Sequence, residues 1–559
     1  MSGHAAGLRQ AQDCRTLRRS PYDLPELLTS HGRICQDSGS NSTAAQFGRT
    51  PLKTNETMTL NNPSKVSTGI APLDEILHGG LTRDRLYLVE GMPGTGKTTL
   101  ALQFLLEGAR LGEAGLYVTL SETKQELEGV AESHGWNLEG IDIYELIDTE
   151  AIEDPRLQYT MFEPAEIELG TTVDGVLERV KELQPRRVVF DSLSEMRLLS
   201  QGSLRYRRQI LALKQFFVGR GCTVLMLDDY SGSDDQHLQS IAHGVIRLEH
   251  LLSDYGGERR RLRVLKLRGS GFIGGAHDMR LVRGGLKIFP REAIDQRVNP
   301  TETQLVNSGN EGFDELLGGG LNAGTSALLL GPAGVGKSSM ALQFAIAAAK
   351  RGERAILFQF EESEQSLFAR AAGLGFDLQG AVDRGLIEVI NLIPGEITPS
   401  EFACLVRRSV EPDAQGRRVR VIAIDSLNGY LNSMPHEKFL VVQLHELLQY
   451  LSKRSILTLV VVAQHGMLGQ AMGSPIDTSY LADSVVLFRY FEASGEIRQA
   501  ISVVKKRTGR HERSIREFKL SSRGIEVGPP LTQFRGILTG VPSFLGEQGS
   551  LITNDGKQV

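Results

Sequence analysis

Short apolar runs alternate with amphipathic stretches along most of the chain, and the whole alternation occurs twice. In the first pass, β-branched and aromatic residues predict strands near 85–90, 115–120, 187–190, 222–227, 243–249 and 260–267. Between them, apolar residues at helical spacing predict helices near 97–111, 123–134, 171–183 and 204–219. Strands interleaved with helices predict an α/β fold, a mostly parallel sheet with helices on both faces. Ligands of such sheets gather beyond the carboxyl ends of the strands.

The second pass repeats the first in register. Ser67-Thr-Gly69-Ile-Ala-Pro-Leu-Asp74-Glu75 returns as Asn307-Ser-Gly309-Asn-Glu-Gly-Phe-Asp314-Glu315. Gly69 and Gly309, Lys97 and Lys337, and Ser121 and Glu361 each lie 240 positions apart. A constant offset over three blocks identifies a duplicated domain. The expected organisation is a first domain over 63–290, a linker over 291–302, a second domain over 303–526 and a loose tail over 527–559. Residues 1–62, rich in Ser, Arg, Gln, Asn and Gly without periodicity, read as a disordered extension, and Met58 is a candidate translation start.

Each copy carries a glycine-rich loop between an apolar strand and a helix: Gly91-Met-Pro-Gly-Thr-Gly-Lys97-Thr98 and Gly331-Pro-Ala-Gly-Val-Gly-Lys337-Ser338. Both fit G-x-x-x-x-G-K-[ST], in which backbone N–H groups cradle phosphates, the lysine reaches the β- and γ-phosphates and the hydroxyl takes Mg²⁺. Gly94, Thr95, Gly96, Lys97, Thr98 and Thr99 are thus expected to bind ATP in the first domain, and Gly334, Val335, Gly336, Lys337, Ser338 and Ser339 in the second.

Other chemistry collects at predicted strand ends. Val188-Val-Phe-Asp191 and Val421-Ile-Ala-Ile-Asp425 end in the aspartate that a phosphate-loop enzyme needs beside Mg²⁺. Glu361-Glu362 follows Ala355–Phe360 and offers a carboxylate to orient water or take a proton. The first copy reads Ser121-Glu122, so the first domain either turns over slowly or uses Glu122. The same residues also read as a helix start, with Thr123 at the cap and Glu126 three residues on. Near the close of each domain are basic strands, with Lys266, Leu267 and Arg268 in one and Lys505 and Arg507 in the other. Alternation sets Lys266 and Arg268 on one strand face, suited to a triphosphate, to a solvated edge or to nucleic acid.

Net charge of −5 over 559 residues argues against a protein that coats nucleic acid through overall charge. No apolar run is long enough to span a membrane. Cys14, Cys35, Cys222 and Cys404 are scattered without metal-ligand spacing, as expected of reduced thiols in the cytoplasm.

Taken in order over about 65–526, these blocks resemble the KaiC family of circadian clock proteins among the RecA-like ATPases. The resemblance is carried by Leu73-Asp74…Gly79-Gly80-Leu81, both loops, Phe360-Glu361-Glu362-Ser363, Ile424-Asp425-Ser426-Leu427, Leu265-Lys-Leu-Arg-Gly269 and Ser514-Ile-Arg-Glu-Phe518. It implies two stacked rings of a homohexamer with ATP at subunit interfaces. Lys266, Arg268, Lys505 and Arg507 then reach a neighbour's ATP. Glu361 becomes the catalytic base, with Glu362 beside it, and Glu122 is the first domain's counterpart. Thr98, Asp191, Ser338, Asp425 and Glu361 surround Mg²⁺. The resemblance also implies a serine/threonine autokinase in signalling. The family's adjacent Ser-Thr pair reads Ser479-Tyr480 here, which leaves Ser479 as the acceptor. Two other readings stay open: a nucleotide-gated scaffold for a signalling partner, and a DNA-dependent RecA-like ATPase.

Overall fold

The computed structural model describes residues 65–146, 175–200, 203–230, 236–252, 256–291, 304–434, 439–464, 481–493, 495–538 and 543–544. The N-terminal extension with Met58, most of the linker, and Ser479 with Tyr480 lie outside the described residues.

The first domain forms one sheet from nine strands: β1 (Leu86–Gly91), β2 (Gly115–Thr119), β3 (Ile141–Glu145), β4 (Arg187–Asp191), β5 (Thr223–Asp229), β6 (Gly244–Leu251), β7 (Arg259–Leu267), β8 (Ala276–Val282) and β9 (Gly285–Phe289). Their spatial order is β3-β2-β4-β5-β1-β6-β7-β8-β9. The six strands from β3 to β6 run parallel, and β7 to β9 continue the sheet antiparallel. The second domain repeats this with β10 (Ser326–Gly331), β11 (Arg354–Gln359), β12 (Ile387–Asn391), β13 (Val419–Asp425), β14 (Leu457–Ala463), β15 (Ser484–Ala493), β16 (Glu496–Lys506), β17 (Ile515–Ser521) and β18 (Gly524–Pro530). Its order, β12-β11-β13-β14-β10-β15-β16-β17-β18, is the same path through space. The expected α/β architecture is therefore present in two copies.

Alternation along the central strands makes the layers. Tyr87 and Val89 face one hydrophobic cluster and Leu86 and Leu88 the other. In the second domain Ala327 and Leu329 divide from Leu328 in the same way. Both faces are covered, so these strands carry no polar face, and each large side chain buried contributes ~1.5–3 kcal/mol.

The loops themselves depend on glycine. Gly96 and Gly336 cap the helices Lys97–Arg110 and Lys337–Lys350 at φ 100°, a left-handed conformation that a side chain would strain. A Cβ on Gly336 would also stand 2.5 Å from the Phe518 ring. The helix Lys124–His134 starts with the capping box of Thr123 and Glu126.

β3, β8 and β9 have no counterpart among the strands predicted for the first domain. Ala276-His-Asp-Met-Arg-Leu-Val mixes polar residues into its core face because those residues have partners: His277 bonds Ile273 O and Asp278 pairs with Arg261 across the ladder at 3.0 Å. Pro529-Pro530, expected in the tail, closes β18 at the sheet edge, and Ile537 is buried against Phe491 and Ala500. The two domains touch where Arg259 donates to Ile397 O at 2.9 Å, and Arg280 pairs with Glu401 at 2.8 Å.

Candidate nucleotide sites

β1 and β10 are the central strands, and each delivers its loop at the carboxyl edge of the parallel sheet. β4 and β13 run beside them, one strand removed, and end in Asp191 and Asp425. The sheet order thus places loop and aspartate together although they are far apart in sequence.

In the second domain the loop opens on a cleft of about 650 Å³ lined by Lys337, Ser338, Glu361, Glu362, Arg370 and Asp425, among others. Lys337 is buried and donates from Nζ to Pro332 O at 2.6 Å. Burial lowers its pKa to about 8, against the pull of Asp425 and Glu361. Burial likewise pushes Asp425 up to about 6, against a hydrogen bond from Ser338. Each group is held in a poorly solvated place where a charged ligand is needed to stabilise its ionised form. Glu362 is tied to Arg370 at 2.6 Å, and Arg370 also donates to Ser339 Oγ at 3.2 Å. Glu361 is exposed beside them.

The first site has the same frame and different contacts. Thr98 Oγ1 donates to Asp191 Oδ2 at 3.2 Å, and the Tyr117 hydroxyl donates to the same oxygen at 2.5 Å. Lys97 Nζ meets Gly91 O at 2.9 Å and forms an ion pair with Asp229 at 2.7 Å. Asp229 ends β5, where the second domain has Ala463. Ser121 is exposed, while Glu122 is half-buried and its Oε2 has no hydrogen-bond partner among the described residues. Burial, then the nearby Asp191 carboxylate, raises the Glu122 pKa. Position 130, equivalent to Arg370, is Val, so no arginine stands there to draw Glu122 aside as Arg370 draws Glu362.

The hydroxyls of Thr99 and Ser339 turn sideways, Thr99 toward His134 Nε2 at 3.5 Å and Ser339 toward Arg370. Gly94, Thr95, Gly334 and Val335 complete the loop turns, with the Thr95 hydroxyl bonded to Met92 O at 2.7 Å.

The basic strands end at the far edge of the sheet. Arg268 donates to Ser240 O at 3.1 Å and Lys266 to Gln239 O at 2.5 Å, next to the start of β6. Lys505 donates to Ala482 O at 2.9 Å, and Arg507 pairs with Asp483 at 3.2 Å, next to the start of β15. Those starts pair with Tyr87 and Ala327, the ends of β1 and β10 away from the loops. These four cations are therefore not brought to their own domain's loop. Leu267 turns into the core between its neighbours. Arg261 and Arg263 are engaged within the chain by Asp278 and Glu249.

Mg²⁺ fits the residues present. Among the described residues no group of three or more His, Cys, Asp or Glu side chains could hold a metal unaided. One hydroxyl and one carboxylate beside a phosphate-binding loop suit an octahedral ion that keeps waters and takes phosphate oxygens.

The family model described as "ATPase: KaiC" matches residues 66–293 and again 306–532. The chain belongs to the KaiC family of ATPases. It is 27% identical over 492 residues to circadian clock protein KaiC3 of Synechocystis sp., covering 86% of this chain and 95% of the relative. It is 28% identical over 489 residues to circadian clock oscillator protein KaiC of Synechococcus elongatus, covering 86% and 92%. The KaiC protein of Thermostichus vulcanus is 28% identical over 488 residues, with the same coverage of each chain. Each matched range contains one of the two glycine-rich loops. No described helix is long and apolar enough to cross a membrane.

Sequence reasoning missed Tyr117, Asp229, Arg370 and Gly429. Asp229 was open to detection, because the apolar run Thr223–Leu227 ends in acids just as Val188–Phe190 does. Arg370 and Gly429 give no local signal, since each acts on a residue brought to it by the fold.

Proposed function

We propose that this protein is a Mg²⁺-dependent ATPase and serine autokinase in which the second domain carries most of the chemistry. The observation that supports this best is the second cleft, where Lys337, Ser338, Asp425 and Glu361 face one space beside a phosphate-binding loop. Loop amides and Lys337 hold the γ-phosphate, and Glu361 takes a proton from the attacking water or seryl hydroxyl. Ser338 and Asp425, like Thr98 and Asp191, are the residues to hold Mg²⁺, which supplies neutralising charge at the phosphate oxygens.

The assembly we propose is a homohexamer in the cytoplasm with ATP between subunits. Lys266, Arg268, Lys505 and Arg507 stand away from their own loops, as residues serving a neighbour's nucleotide would. Ser479 precedes β15, whose first residue pairs with Ala327 at the strand end away from Gly331. With ATP held between subunits, the phosphoryl group for Ser479 can come from a nucleotide shared with a neighbouring subunit. In the first domain, Lys97 bound to Asp229 and serine at 121 favour a second reading: nucleotide there mainly assembles the ring, whose state a signalling partner reads.

One incubation tests this. With γ-labelled ATP and Mg²⁺, wild type is expected to release labelled phosphate and retain label on protein, and Glu361→Gln to lose both at the second site. Phosphate without labelled protein removes the autokinase. Neither product, with ATP still bound, leaves only the nucleotide-gated scaffold.

A further inference from the structure

The first domain lacks Glu361, but a second difference lies directly against that gap. In the second domain the helix Leu427–Asn432 follows β13 and brings Gly429 against the end of β11. A Cβ on Gly429 would lie 2.5 Å from Phe360 Cβ, 3.1 Å from Glu361 Cγ and 3.4 Å from Glu361 Oε1. A side chain at 429 and a glutamate at 361 therefore compete for one volume.

The first domain reproduces this backbone. Leu120 N donates to Asp191 O at 2.7 Å as Phe360 N donates to Asp425 O at 2.8 Å. Ser192 has φ −126° and ψ 159°, and Ser426 has φ −123° and ψ 166°. Counting from those serines, Gly429 corresponds to Glu195, and Glu361 corresponds to Ser121. The pair Glu/Gly has become Ser/Glu. Bulk and carboxylate have together moved from the strand end to the facing helix. A glutamate oxygen stands about 3–4 Å from its own Cβ by standard bond lengths. That reach covers the place of Glu361 Oε1.

The structural use for Glu195 is not taken. Ser192-Leu-Ser-Glu195 spells a capping box, yet Ser192 makes no side-chain cap bond, and its Oγ lies 2.7 Å from Ser194 Oγ instead. In the second domain Ser426 does cap, accepting from Gly429 N at 3.0 Å. Glu195 is half-buried and, among the described residues, makes no hydrogen bond or ion pair.

We propose that Glu195 is the catalytic carboxylate of the first site, replacing the residue lost at Ser121. The water oxygen bonds to the γ-phosphorus while the bond from that phosphorus to the bridging oxygen of ADP breaks. The water proton passes to the Glu195 carboxylate and from there to solvent. This rests on the first domain hydrolysing ATP.

The test uses the full chain with Glu361→Gln, so that phosphate release reports the first site, and Lys97→Ala/Glu361→Gln as the blank. Binding of a fluorescent ATP analogue is measured alongside. Adding Glu195→Gln is expected to cut the residual release at least fivefold with binding unchanged, and Ser121→Glu/Glu195→Gly to restore it. A fall below fivefold, with Glu122→Gln removing the activity instead, overturns the proposal in favour of Glu122. No release above the blank from Glu361→Gln overturns it as well, since the first site then does no chemistry. If wild type also releases none, the ATPase reading fails with it.

Discussion

Lys97 and Lys337 stand at the same place in two copies of one loop and meet different surroundings. Lys97 is neutralised by Asp229 at 2.7 Å, whereas Lys337 donates to Pro332 O and is lowered to about 8 by burial. Beside them, the second site pins Glu362 to Arg370 and leaves Glu361 at the cleft, while the first leaves Glu122 half-buried and, among the described residues, without a partner for Oε2. The duplicated frame is the same in strand order and loop conformation, and the contacts of the loop lysines and the strand-end carboxylates differ. Such a difference would let the two sites turn over ATP at different rates.

The two sites are told apart most directly at Glu361. Glu361→Gln should reduce second-site phosphate release by about 10²–10⁴-fold, the usual range for removing a general base. The whole protein would then fall to the rate of its first site. An unchanged total rate, measured with labelled ATP, would mean that the first site does the work. A smaller effect comes from pH. Phosphates need the ammonium form of Lys337, so binding takes up a proton once pH exceeds about 8 in the nucleotide-free protein. ATP affinity at the second site should be about tenfold weaker at pH 9 than at pH 7, one decade per unit above the pKa. A flat profile in a titration with fluorescent ATP would remove the contrast drawn for Lys337. Smaller again is Asp229→Asn. Asp229 is 41% exposed, so screening limits its repulsion of phosphate to ~1 kcal/mol, and the first site should bind ATP about fivefold more tightly.

The loops, the strand-end aspartates and the duplication were legible because each is a local string with one physical purpose. Lys97 and Thr98 follow glycines that only a phosphate loop requires. The α/β architecture was legible from alternation alone. β8 was not, because Asp278 is buried through an ion pair with Arg261 that no local pattern announces. Nor was the role of Arg370, which sits eight residues past Glu362, or of Gly429, which matters only because the fold sets it against Phe360. What the sequence hides is contact between elements, and the two sites differ in contacts.

Tyr117 gives the finest test of that view. Its hydroxyl donates to Asp191 Oδ2 at 2.5 Å, and its counterpart in the second sheet, Leu357, has no hydroxyl to offer. Burial raises the Asp191 pKa, and the Tyr117 and Thr98 hydrogen bonds work against that rise. In Tyr117→Phe one of the two is lost, so Asp191 is harder to ionise, and the domain loses ~1 kcal/mol with the bond. An Asp191 carboxylate that has lost this donor is also held less firmly where Mg²⁺ would take it. The Mg²⁺ concentration needed for half-maximal ATP binding at the first site should therefore rise about threefold, within the ~1 kcal/mol that the lost bond is worth. The second site, read in Lys97→Ala, should not respond. A fall at the first site would mean that Tyr117 competes with the metal for the same oxygen. Equal shifts at both sites would mean that the two metal positions are coupled through the assembly.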